Sequence, residues 1–167
     1  MIEQDIPPCF ISIDKEGRWF HKGAEMINRE IVRHFYENLT VDSLGRYVIH
    51  WGNEHCLLEV EDTPFVVRRV VFREEGGGRH ARFILFLSDD TQETLAPDTL
   101  YVGRDDVLYC RVKQGRFPGR FQRPAYYQLA EYIGEEDGEF FLPLKERKYP
   151  IRREGASPSP FFPLKRF

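Results

Sequence analysis

Arg29-Glu30-Ile31-Val32-Arg33-His34-Phe35-Tyr36-Glu37-Asn38-Leu39 and Arg123-Pro124-Ala125-Tyr126-Tyr127-Gln128-Leu129-Ala130-Glu131-Tyr132-Ile133 are the two stretches on which the fold turns. Displaced by 94 positions, from Ile31 to Ala125, they set Ile31, Val32, Phe35, Tyr36 and Leu39 opposite Ala125, Tyr126, Leu129, Ala130 and Ile133. Apolar residues at i, i+1, i+4, i+5 and i+8 form one face of a helix. An arginine (Arg29, Arg123) stands two residues ahead of each stripe and a glycine (Gly45, Gly138) follows it, after which Tyr47-Val48-Ile49 answers Phe140-Phe141-Leu142. The matched spacing predicts one helix-turn-strand unit used twice, about residues 9–51 and 107–151. Such a pseudo-symmetric domain has its natural ligand position at the seam between the halves.

Working outward, the strands outnumber the helices. Phe10, Ile11 and Ile13 lead into an Asp14-Lys15-Glu16-Gly17 turn, and Arg18 to His21 reads as a second strand. Asn28 suits the N-cap of the first helix, expected to run to about Leu39, and Asp42-Ser43-Leu44-Gly45 turns the chain into Tyr47–Trp51. The centre reads as antiparallel β: His55 to Val60, Phe65 to Arg73 and His80 to Leu87 are rich in β-branched and aromatic residues, with Gly76-Gly77-Gly78 joining the last two. Asp90 and Glu93 have capping-box spacing for a short helical turn before Pro97. Leu100 to Val102 and Val107 to Val112 read as strands, Pro124 opens the second helix and Gly138 to Leu144 closes as a strand. Past Ile151, Arg152-Arg153-Glu154-Gly155-Ala156-Ser157-Pro158-Ser159-Pro160 is expected to form no regular element and reads as a tail over 152–167. The fold class that follows is α+β: a single strand-rich domain, 1–151, whose two related units flank a central antiparallel β region.

A chain of 167 residues supports one buried core, and with 14 Phe and 8 Tyr large rings supply much of it. A net charge of −3 gives no global pull toward nucleic acid or an anionic membrane, so neither is expected as a partner. Cys9, Cys56 and Cys110 are odd in number and lack CxxC spacing, no apolar run approaches twenty residues, and the N-terminus carries acids instead of a basic n-region. These features lead to the expectation of a reduced, cytoplasmic protein whose cysteines are small core residues.

Gly17-Arg18-Trp19-Phe20-His21-Lys22-Gly23, the helix Arg29 to Leu39, the run Val60-Glu61-Asp62-Thr63-Pro64-Phe65 and Arg120-Phe121-x-Arg123-x-x-Tyr126 occur in an order that resembles the bacterial domain-of-unknown-function family 1285. The likeness spans nearly everything from Phe10 to about Ile151, and the Val60–Phe65 run is its most specific part. It implies an α+β fold of repeated motifs and a role in signal transduction, and it carries over no catalytic residue.

Candidate sites follow from charge placement. An arginine at a helix N-terminus faces the positive end of the macrodipole, which costs a few tenths of a kcal/mol up to about 1. Compensation can come from a carboxylate of the chain, Glu59, Glu61 and Asp62 being the nearest cluster in type, or from a bound anion. Arg29, Asp62, Glu61, Arg120, Arg123 and Tyr126 are therefore the expected ligand-binding residues. Arg111, Lys113, Arg116, Arg120 and Arg123 alternate with Phe117 and Phe121 in a pattern that can bind single strands but more simply forms a solvated strand face. His50, Glu54, His55 and Cys56 match no closed zinc spacing, so no metal and no cofactor are expected. The function that fits is a non-enzymatic regulatory module taking a small anionic ligand or a protein partner; the alternative is a hydrolase-type enzyme using Asp62 or Glu61 with Arg29 and Arg123 between the halves.

Overall fold

The structure is a computed structural model that describes residues 5–154. Among the described residues it is α+β and strand-rich, with two α-helices, and by packing the chain divides into two compact units that meet in the sequence at Pro64 and Phe65.

The first unit contains β1 (Pro8–Ile13), β2 (Trp19–His21), β3 (Ala24–Glu25), α1 (Arg29–Glu37), β4 (Leu39–Val41), β5 (Tyr47–Trp51) and β6 (Glu54–Val60). They form one six-stranded sheet in the order β3-β2-β1-β6-β5-β4, in which only the β1–β6 pairing is parallel. Two of its hairpins use the same device. Asp14 and Asp42 each accept from the backbone N–H two and four residues on through one oxygen (2.8–3.0 Å) and from the Nε of Arg18 or Arg46 through the other (2.8 Å). Gly17 and Gly45 close the loops at φ 82 and 78, where a side chain would be strained. Asp-x-x-Gly-Arg is thus a local hairpin code. α1 begins where the sequence places it: Asn28 Oδ1 accepts from Glu30 N and Ile31 N, and Glu30 adds a favourable charge in the first turn. Its buried stripe is narrower than the spacing implies. Val32 and Tyr36, one turn apart, are buried, whereas Ile31 on the flank of the stripe is 43% exposed.

The second unit contains β7 (Phe65–Arg73), β8 (Arg82–Leu87), β9 (Gln92–Thr94), β10 (Tyr101–Val102), β11 (Leu108–Val112), β12 (Phe117–Phe121), α2 (Arg123–Ala130), β13 (Gly134–Glu136), β14 (Glu139–Leu144), β15 (Arg147–Pro150) and β16 (Arg152–Arg153). A seven-stranded sheet runs β16-β10-β11-β12-β7-β8-β9, and β13-β14-β15 is a separate meander. Phe65, Val66, Val67, Phe83, Leu85, Leu108 and Val112 fill the core, and α2 buries Ala125, Tyr126 and Leu129. A bulge in β7 between Val67 and Arg69 frees backbone groups that α2 and its N-cap recover. Val70 N donates to Gln128 Oε1 at 2.7 Å, and Gln122 N donates to Val67 O at 2.9 Å. The helix is thereby fixed to the strand by polar as well as apolar contact.

Three expectations are corrected. Asp90 and Glu93 cap no helical turn: Leu87 to Thr91 is a tight hairpin turn and Gln92–Thr94 is β9, because Asp89 folds its carboxylate onto Thr91. Arg152 and Arg153, expected in an irregular tail, pair in parallel with Tyr101 and Val102, and the rest of that tail, 155–167, lies outside the described residues. Cys9 and Cys56 are not separate core residues but form a disulfide across 47 positions of sequence; only Cys110 is a buried free thiol. The parallel β1–β6 pairing that brings them together leaves no trace in their spacing.

Candidate functional site

In the first unit, α1 packs its C-terminal half against aromatic residues from β2 and β5. Trp19 stacks on Phe35 with ring centres 6.0 Å apart and meets Tyr36 edge-on at 4.8 Å; Phe35 in turn lies 5.3 Å from Trp51, and His34 contacts Trp51 at 5.0 Å. Tyr36 OH donates to Pro64 O at 2.9 Å, which anchors the helix end. The series runs from a buried indole, Trp19, to one that is 53% exposed, Trp51. Trp19 Nε1 is buried and has no acceptor among the described residues.

Trp51 and Phe35 form the rim and wall of an open cleft of about 650 Å³, completed by Ile11, Ile49, the Pro7-Pro8-Cys9 segment and Asn53-Glu54-His55-Cys56. The disulfide lies on this cleft. The register explains why these residues converge: Ile49 pairs with Cys56 and Trp51 with Glu54, so the alternation of β5 and β6 puts all four on one face. On the opposite face His50 Nε2 lies 2.9 Å from Thr40 Oγ1, and the His50 and His55 rings are 5.8 Å apart. Among the described residues no group of three or more His, Cys, Asp or Glu is placed to hold a metal.

The residues singled out in the sequence fall in both units. Arg29 is the half-buried first residue of α1, whose N-terminal amides are already met by Asn28. Glu61 and Asp62 form the bend after β6, where the Glu61 carboxylate accepts from Lys15 N at 2.8 Å. In the second unit Arg120 lies on β12 opposite Tyr109, Arg123 is the exposed first residue of α2, and Tyr126 is buried one turn on. Arg29, Glu61 and Asp62 thus share one unit, and Arg120, Arg123 and Tyr126 the other. Phe117 and Phe121 are buried, while the Nε groups of Arg111 and Arg116 donate to Gly115 O and Lys113 O of their own hairpin.

A polar cluster that the sequence reading missed lies in the second unit. Asp89, 7% exposed, accepts from Thr91 and pairs with Lys113 Nζ at 2.5 Å, while Lys113 Nζ also donates to Thr91 Oγ1 and lies 5.4 Å from the Phe65 ring centre. Glu93 accepts from Lys113 N. Every charge here has its partner, the condition for a buried network to rigidify a fold. Cys110 is equally inert: burial, with the Glu93 charge adding to it, raises its thiol far above the ordinary value.

No family model and no curated protein matches the chain. Two solved structures do. A family 1285 protein of unknown function from Silicibacter pomeroyi DSS-3 covers 87% of this chain and 80% of its own length, at 20% identity and a TM-score of 0.72. Another from Shewanella baltica OS155 covers 74% and 91%, also at 20% identity, with a TM-score of 0.59. The chain therefore resembles family 1285 proteins in fold. Among the described residues no helix is long and apolar enough to cross a membrane.

Proposed function

We propose that the protein is a non-enzymatic regulatory module that takes a small molecule with a flat apolar body in the cleft of its first unit. The observation that carries this reading is Trp51, an indole left half-exposed at the rim of a concave apolar surface of about 650 Å³. Ligand sites have this composition: mostly apolar and aromatic walls with a few polar groups, here Asn53 and Glu54. An aromatic rim residue adds a stacking surface worth about 0.5–1.5 kcal/mol beyond area burial. The cleft is a better ligand position than the start of α1, because Asn28 supplies there the acceptor an anion would provide. Binding is favoured over hydrolysis because Glu61, one of the two carboxylates a hydrolase would use, serves the Asp14 hairpin. The same reading treats α1 with β4-β5-β6 and α2 with β13-β14-β15 as one helix-plus-meander module used twice, specialised for binding in the first.

Both tryptophans of the chain lie in the first unit, so indole emission reports on it alone. A panel of aromatic acids, nucleobases and nucleosides, screened by tryptophan emission and thermal unfolding, should give at least one compound that changes both. A hundredfold excess over Kd would stabilise the protein by about 2.7 kcal/mol. Trp51→Ala should remove the response. Stabilisation by compounds that persists in Trp51→Ala would place the site elsewhere.

A further inference from the structure

We propose that the Cys9–Cys56 disulfide is an exchange site for a low-molecular-weight thiol. Both cysteines are half-buried and line the open cleft, whereas exchange is suppressed where a disulfide is enclosed. The backbone around Cys9 supports the assignment. Between Pro8 and Ser12 strand β1 advances four residues while its partner β6 advances two, from Leu57 to Glu59, so Cys9 lies in a bulge and not in a regular ladder. Bulges re-aim side chains and concentrate next to active positions. Phe10, at the centre of the bulge, has φ 60 and is 63% exposed, a left-handed conformation unfavourable for a bulky residue and found where the surroundings impose it. Phe35 and Trp51 offer an apolar wall to the organic body of the incoming thiol.

The step balances without another reactant. The thiolate sulfur bonds to one cysteine sulfur, the Cys9–Cys56 bond breaks, and the second cysteine leaves as a thiolate that takes a proton from solvent. A second thiol molecule then attacks the mixed disulfide, releasing the small-molecule disulfide and leaving both cysteines reduced: two thiols are oxidised and one protein disulfide is reduced.

The assignment goes beyond the ligand reading and stands without it, since exchange is read by mass and ligand binding by tryptophan emission. The test uses the full oxidised chain, incubated folded with reduced glutathione, quenched with iodoacetamide and mapped by mass spectrometry. One glutathione adduct at Cys9 or Cys56 is expected, forming while the protein stays folded. Trp51→Ala, which removes part of the apolar wall beside the disulfide, should slow glutathione exchange severalfold and change reduction by the smaller dithiothreitol by a different factor. A disulfide that survives until the protein unfolds, cysteines 9 and 56 that remain free thiols under oxidation, or a Trp51→Ala effect that is nil or equal for both reductants would overturn the proposal.

Discussion

α1 with β4-β5-β6 and α2 with β13-β14-β15 are two regions with the same order of elements and different surroundings. In the first, the meander continues through β6 into a six-stranded sheet; in the second it stands as its own three strands. The hairpins differ as well. The first turns through the five-residue Asp42–Arg46 loop and the second through Asp137-Gly138 alone, both at positive φ. Opposite Ile49 stands Cys56, bonded to Cys9; opposite Leu142 stands Tyr149. The two regions thus differ at this cross-strand position: a disulfide-bonded cysteine beside an open cleft in the first, an aromatic ring in the second.

The largest effect expected from breaking this comparison is in the second helix. Leu129 is fully buried, and Leu129→Ala should cost about 2–5 kcal/mol in denaturant unfolding followed by circular dichroism. Val32→Ala on α1, also fully buried, should cost roughly 1 kcal/mol less, for one methylene fewer. Equal and negligible losses would mean that the helices are not packed as described. Next is the disulfide, which closes 47 positions of chain: the Cys9→Ser, Cys56→Ser double variant should lose about 2–4 kcal/mol, measured by tryptophan emission in urea. Thiol labelling of the reduced, folded protein sharpens the contrast, because Cys9 and Cys56 should react and Cys110 should not until the protein unfolds.

A smaller effect separates the hairpins by pH. Burial alone would push the Asp42 carboxyl up, but hydrogen bonds from the Arg46 backbone and guanidinium, its charge, and the Leu44 N–H together hold it below the ordinary value of 3.8. A depressed folded-state value means that the contribution is fully present above pH 3.8 and is lost as pH falls through the lower folded value. Asp42→Asn should flatten the stability profile of the first unit in that acid range, measured by urea titration of tryptophan emission. An unchanged acid profile would show that the Asp-x-x-Gly-Arg turn contributes no linkage.

The smallest expected effect is Trp19→Phe. The orphan Nε1–H costs about 1–3 kcal/mol where it stands, and its removal offsets the volume lost, so the net change should be under about 1 kcal/mol. A loss above about 3 kcal/mol would show that the indole finds an acceptor in solution.

Much of this was legible from local patterns. Asn28 marked α1, Pro124 marked α2, the Asp42–Gly45 turn marked the start of β5, and β-branched and aromatic content marked β6 to β8, because a cap, a turn or a compositional run acts within a few residues. The D-x-x-G-R turns could have been found as a pair, Asp14–Arg18 and Asp42–Arg46, since the same five-residue pattern occurs twice. What stayed hidden is non-local. The β1 bulge, the Cys9–Cys56 pairing and the Lys113–Asp89 contact depend on which strands become neighbours, and spacing does not encode that. The cleft was missed for the same reason: Ile11, Phe35 and Trp51 belong to three separate elements.

The indole N–H resonances of the two tryptophans test most directly the proposed ligand cleft of the first unit. In a proton–nitrogen correlation spectrum titrated with a compound that stabilises the protein, the Trp51 indole signal and the amides of Phe35, Ile49 and Glu54 should move together, with the Trp19 indole nearly still. Shifts confined to residues of the second unit, such as Phe72 and Tyr132, with Trp51 unmoved at saturation, would contradict it.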